Sequence, residues 1–236
     1  MRSEPAALVL VGPSGAGKTT IARRVVASRP DRFVFSVSAT TRRPRPGEEH
    51  GREYLFVSRA DFGAMVAGGE LLEHAEVHGD HYGTPLAGIR RAGRRAPVLD
   101  IDVQGAAQVL RHGVGACVIF IVPPDVAAWF DRLGGRGTES PSQIVRRLRT
   151  SLGELGGAPG FECFVVNDAL DQAVADVLAH WRGAPPSRIG APEAAALCRD
   201  LEAGARAEIA RLRALGGSAA AERASGHAHG ARVEDS

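Results

Sequence analysis

"ALVLVGPSGAGKTTIARRVV", Ala7–Val26, is the stretch from which the fold can be read. Its first five residues are apolar without a break, which is the pattern of a short strand buried on both faces. Gly12, Pro13, Ser14, Gly15, Ala16 and Gly17 follow, then Lys18 and Thr19. That spacing fits G-x-x-x-x-G-K-[ST], set between the strand and a helix running from Lys18 to about Ser28, which Pro30 ends. Such a loop wraps a phosphate in its backbone N–H groups, and the helix N-terminus adds partial positive charge. Lys18 is expected to reach the β- and γ-phosphates of a nucleoside triphosphate. The Thr19 hydroxyl is expected to ligate Mg²⁺.

The lysine is informative in itself. Of 29 basic residues, all but Lys18 are arginine. An ammonium is a compact point charge on a flexible stem, whereas a guanidinium is a broad planar fork. A tight loop around a triphosphate has room for the first.

Working outward, apolar runs alternate with helical stretches. "FVFSVS", "EYLFVS", "PVLDID", "ACVIFIV" and "FECFVV" read as strands. "LLEHAEV" reads as a strand or a helix end. Ser58 with Asp61, Thr84 before Pro85, and Ser140 before Pro141 mark helix starts. Helices are expected from Gln104, over "PPDVAAWFDRL", and over "DALDQAVADVLAHW". Strands interleaved with helices predict an α/β fold with a mainly parallel sheet. "RGAPPSRIGAP", Arg182–Pro192, reads as a linker. A further helix is expected beyond it, with Leu201, Ala205, Ile209 and Leu212 on one face. From Gly216 the chain loses periodicity, which predicts a disordered tail.

Composition excludes several classes. The net charge of +2 gives no basic field for nucleic acid or an anionic membrane. No apolar run approaches the ~20 residues that span a bilayer. "MRSEP" leads into the first strand without a small-residue cleavage site, which argues against a signal peptide. Cys117, Cys163 and Cys198 are odd in number and widely spaced, which suits a reducing cytoplasm.

The phosphate loop names a donor and leaves the acceptor open. Arg42 and Arg45 flank a proline, and Tyr54 begins a strand. Paired guanidinium groups and a phenol suit a phosphomonoester. Taken alone, "TRRPRPGEE" is equally a charged surface loop. "LDID", Leu99–Asp102, places acid at a strand end, where such folds hold a carboxylate near the metal.

"SVSATTRRPRPGEEHGREYLFV", "LLEHAEVHGDHYGT", "VLDIDVQGA", "GRGTES" and "VVND" together resemble the guanylate kinase family. The resemblance runs from about Leu8 to Trp181. It implies ATP-dependent phosphorylation of GMP, and of dGMP, in purine metabolism. It implies a domain over 1–182, with a GMP-binding insert at about 38–94, a lid at about 134–152, and an appended segment at 183–236. It puts Arg42, Arg45, Tyr54 and Tyr82 on the GMP phosphate, and Ser38, Glu73, Thr84, Asp100 and Asp102 among the substrate contacts. Arg136 and Arg147 would close over the transferring phosphate with the lid, while Arg146 and Arg149 are expected on its exposed face. Asn167 is expected near the adenine or the lid hinge.

Glu73 has a chemistry of its own: a carboxylate is acceptor-only, and guanine offers N1–H and its amino group side by side. Two other readings stay open. One is a binding module for phosphopeptides, against which the intact Lys18 and Thr19 stand. The other is a sugar-phosphate kinase, against which Glu73 stands. His74, His78, His81 and Asp80 hint at a metal cluster, but their spacing is no ligand geometry, and "HAH" at 227–229 is a weaker hint still. "GGAPGFECF" departs from the "YxxYDY"-like stretch of the family. Removing 183–236 is expected to leave activity intact. Its apolar face could dock on the core, form a dimer contact or hold a partner.

Overall fold

Residues 7–11 form the centre of the molecule because they are apolar on both alternating faces. A computed structural model describes residues 4–77, 79–134, 140–184 and 189–229, with the backbone alone for 216–229. The strand β1 (Ala7–Val11) pairs in parallel with β7 (Ala96–Asp100) and β8 (Ala116–Val122). β2 (Phe33–Phe35) and β9 (Phe164–Val166) complete the sheet in the order β2-β7-β1-β8-β9, all parallel. Leu8 and Leu10 point to one face and Val9 and Val11 to the other, in separate core clusters. The first face is covered by α1 (Lys18–Ser28) and α7 (Leu170–Trp181). The second is covered by α4 (Val103–Arg111), α5 (Val126–Gly134) and α6 (Pro141–Gly156).

A second, four-stranded sheet has the order β4-β3-β6-β5. Its strands are β3 (Ala39–Thr40), β4 (Leu55–Phe56), β5 (Leu71–Val77) and β6 (Asp80–Pro85), with α2 (Arg59–Ala67) and α3 (Leu86–Arg91) beside them. The "LLEHAEV" run is thus a strand. Its partner β6 and the two-residue β3 carry too few apolar residues to show a period. Ser58 caps α2 through Asp61, and Ser140 with Gln143 forms a capping box on α6. At Thr84-Pro85 the strand instead continues through Pro85, which is the cap of α3.

The last helix, α8 (Ala191–His229), is longer than the apolar period predicts. Its backbone runs as helix past Gly216 to His229, and residues 230–236 lie outside the described residues. Ala194, Cys198, Leu201, Ala205 and Ile209 are buried in the same cluster as Val9 and Phe120, so its apolar face docks on the core. Leu212 is only half-buried. A 3-10 turn, Ala158–Gly160, and Phe161 against Phe120 fill the space of the "GGAPGF" departure. Among the described residues no helix is long and apolar enough to cross a membrane.

Candidate active site

The phosphate loop occupies the turn between β1 and α1. Gly17 has φ 92°, a left-handed conformation, and a Cβ there would lie 2.3 Å from Asn167 Nδ2. Asn167 is buried and donates through Nδ2 to Ala16 O at 2.8 Å. It therefore braces the underside of the loop. Lys18 Nζ folds back over the loop and donates to Gly12 O at 2.6 Å and to Pro13 O at 3.4 Å. Thr19 Oγ1 donates to Asp100 Oδ2 at the end of β7. This pairs two hard oxygen donors beside the loop, the kind of set that suits Mg²⁺ shared with phosphate and water.

Ser14 is held from outside the loop at every polar group. Its N–H donates to Glu154 Oε2 at 3.1 Å. Its Oγ accepts from Arg147 Nε at 3.3 Å and Nη2 at 3.1 Å. Its carbonyl accepts from Trp129 Nε1 at 2.8 Å. Arg147 also donates to Leu133 O at 3.2 Å, so it already lies on the loop. Arg136 and His78 lie outside the described residues. Arg146 is exposed, as expected, but its Nη2 reaches to within 2.8 Å of where a Cβ would stand on Gly79, at the turn between β5 and β6.

The second sheet carries the other expected residues. Arg42 grips Glu48 with both nitrogens, at 2.9 and 3.0 Å, and lies over the rings of Tyr54 and Phe56. Burial is the largest single influence and works against this guanidinium's charge, but the Glu48 bond and charge together with Tyr82 outweigh it and raise the Arg42 pKa. Tyr54 meets Tyr82 edge-on at 5.8 Å. Burial, with Asp100 and Tyr82 adding to it, pushes the Tyr54 phenol up to about 12, so it keeps its proton at neutral pH. Arg45 is exposed on the same turn, its backbone N–H on Glu48 Oε2 at 2.8 Å. Ser38 is half-buried at the start of β3, its carbonyl taken by Leu55 N–H. Arg23 of α1 reaches Glu53 at 3.1 Å, tying this loop to the helix behind the phosphate loop.

Glu73 is only 4% exposed, on β5. Thr84 Oγ1 donates to its Oε1 at 2.6 Å. Burial raises its pKa to about 7, and nearby Asp102 adds to the rise while Thr84 opposes it. Asp102 caps α4, accepting from Gly105 N–H at 2.7 Å, and burial raises its pKa too. Gly105 leaves the space that Glu73 fills: a Cβ there would stand 2.4 Å from Oε2.

Glu48, Gly105, Trp129 and Glu154 were not anticipated from sequence, and neither was Arg132, whose Nη1 is buried without a partner among the described residues. Two signals were legible. Glu154 lies seven residues after Arg147, on the same helical face, and Trp129 is one of two tryptophans. His74 is exposed, and His81 stacks on Phe62. Among the described residues no three His, Cys, Asp or Glu side chains group to hold a metal.

A strand, phosphate loop and helix on a parallel sheet, joined to a small sheet and its loop that carry Arg42, Tyr54, Glu73 and Tyr82, define a P-loop phosphotransferase. The guanylate kinase family profile matches residues 4–181. Guanylate kinase of Oleidesulfovibrio alaskensis is 47% identical over 188 residues, 79% of this chain and 91% of that one. Guanylate kinase of Nocardia farcinica is 46% identical over 170 residues, 70% of this chain and 88% of that one. A crystal structure of guanylate kinase from Anaplasma phagocytophilum superposes with a TM-score of 0.62 at 28% identity, covering 78% of this chain and 87% of that chain. The chain belongs to the guanylate kinase family, and it is a kinase.

Proposed function

We propose that this kinase transfers the γ-phosphate of ATP to GMP, giving GDP and ADP, and accepts dGMP at the same site. The observation that carries the acceptor is Glu73, a carboxyl buried against Thr84 within the small sheet that also holds Arg42, Tyr54 and Tyr82. Guanine presents two donors to a carboxylate. Adenine presents no such pair on that edge and would leave Glu73 buried with Thr84 as its donor and none from the base. None of the assigned contacts needs the ribose 2′-hydroxyl, which supports dGMP as a second acceptor.

In this reading Arg42, Arg45, Tyr54 and Tyr82 orient the GMP phosphate, and Ser38, Glu73, Thr84 and Asp102 read the base. Lys18 leaves the Gly12 and Pro13 carbonyls to meet the β- and γ-phosphates. Arg132, Arg136 and Arg147 neutralise the transferring group, and Arg132 Nη1 gains the partner it lacks among the described residues. Phosphoryl transfer asks for alignment, charge and exclusion of water more than for covalent help. The GMP phosphate is already an anion, so no general base is assigned. Thr19 and Asp100 are the residues that would hold Mg²⁺, which when bound neutralises charge on the ATP phosphates. Residues 1–182 act as the catalytic domain, with 38–94 receiving GMP and 134–152 serving as the lid. Free Cys117, Cys163 and Cys198 support a reducing cytoplasm and a place in purine nucleotide metabolism there.

The test is ADP release with ATP and Mg²⁺ against GMP, dGMP, AMP, CMP and UMP. GMP and dGMP are expected to turn over, with AMP at least about a hundredfold slower in kcat/KM. Equal rates for AMP and GMP would refute the role of Glu73. Turnover on none of them, with phosphopeptide binding intact, would turn the reading to a binding module.

A further inference from the structure

Ser14 sits in the loop that the proposed function assigns to ATP, and three of its bonds come from helices α5 and α6. Arg147 takes the hydroxyl, Trp129 the carbonyl and Glu154 the N–H. Two of these partners belong to α6. Arg147 and Glu154 are seven residues apart, two helical turns, so one face of α6 meets the loop at both. Leu148 and Leu155, each one residue on, turn into the core and fix the helix from its other side. Trp129 is fully buried and cannot give way.

Glu154 is an unexpected choice for this position. Its carboxyl is partly buried, near Lys18, beside a loop built to receive anions, and desolvation raises its pKa. A negative charge there opposes phosphate binding. Its bond to Ser14 N–H is the gain that offsets this cost. A loop N–H without that acceptor is free to turn, and the loop loses the geometry that phosphate needs.

We propose that Glu154 is a positioning residue for ATP: by holding Ser14 N–H it locks the phosphate loop to α6, so that loop and Arg147 stay in register. The inference rests on the loop being the ATP site. It assigns Glu154 no contact with either substrate.

The experiment measures Kd for ATP and for GMP, and Tm, in wild type, Glu154→Ala, Glu154→Gln and Glu154→Asp. Glu154→Ala should weaken ATP about tenfold or more and leave GMP within about twofold, because one hydrogen bond in the loop is lost. Glu154→Gln keeps an acceptor oxygen at the same reach and should stay within about threefold of wild type for ATP. Glu154→Asp keeps the charge but falls one methylene short, and should behave as alanine does. It also decides the matter if the alanine variant does not fold. Wild-type ATP affinity in Glu154→Asp, or a glutamine variant as weak as aspartate at wild-type Tm, overturns the proposal. So does a parallel loss of ATP and GMP affinity that follows Tm, which is the mark of a merely structural residue. A wild-type chain that binds no ATP refutes the proposed function instead, a result separate from any of these.

Discussion

Glu73 concentrates the residue-scale chemistry. In the folded chain its pKa rises to about 7 from an ordinary 4.5, with burial as the main cause. The folded state therefore favours the neutral acid. The stability that Glu73 contributes is full below its unfolded pKa and is lost as pH rises through 7. Guanine selects the opposite form, because its two donors need a carboxylate. GMP binding should thus release a proton below pH 7, and GMP affinity should weaken by up to about tenfold per pH unit below that value. Titrating GMP into wild type and Glu73→Gln between pH 5.5 and 8.5 checks it. The GMP phosphate titrates in both proteins, so the difference between them isolates Glu73. Parallel pH curves would refute the assignment.

At the scale of elements, α4 joins the two sheets. Asp102 caps it at the end of the central sheet, and Gln108 bonds both ways with the backbone of His74 on β5, at 3.2 and 2.6 Å. Gly105 brings the helix close enough for this, since any side chain there meets Glu73. Gly105→Ala is expected to displace the Glu73 carboxyl. We expect it to raise KM for GMP about tenfold while ATP affinity stays within about twofold, because a one-methyl clash in a packed site is local. Steady-state kinetics with each substrate varied in turn measures the split. Equal effects on both substrates would mean that α4 itself had moved. The small sheet is also where sequence patterning is weakest. β3 and β4 are two residues each and β6 is largely polar, so periodicity had little to act on.

At the scale of the molecule, the C-terminal segment changes from an appendage to part of the core. The family profile ends at residue 181, yet Leu201 and Ala205 of α8 are fully buried against the helices that carry Trp129, Arg147 and Glu154. Removal of 183–236, expected from sequence to be harmless, should instead expose the backs of α5 and α6. We expect the truncated chain to lose solubility or a large part of its thermal stability. The milder variant Leu201→Ala should cost about 3 kcal/mol, lowering Tm by roughly 6–12 °C. Thermal unfolding of both against the full chain is the check. A truncated protein with unchanged Tm would return the segment to the status of a tail.

The sequence by itself determined the phosphate loop, the alternation of buried strands and helices, and the helix caps at Ser58 and Ser140. Each depends on neighbours within a few residues, where backbone geometry and periodicity act directly. Resemblance supplied the names of the remaining site residues. Tertiary structure alone decided that Glu73 is buried enough to hold a proton near neutrality and that Asn167 lies under the loop. It alone brought Glu154, 140 positions away in sequence, onto Ser14 N–H. It also docked α8 on the core. These are matters of desolvation and of contact between distant segments, which no local pattern encodes.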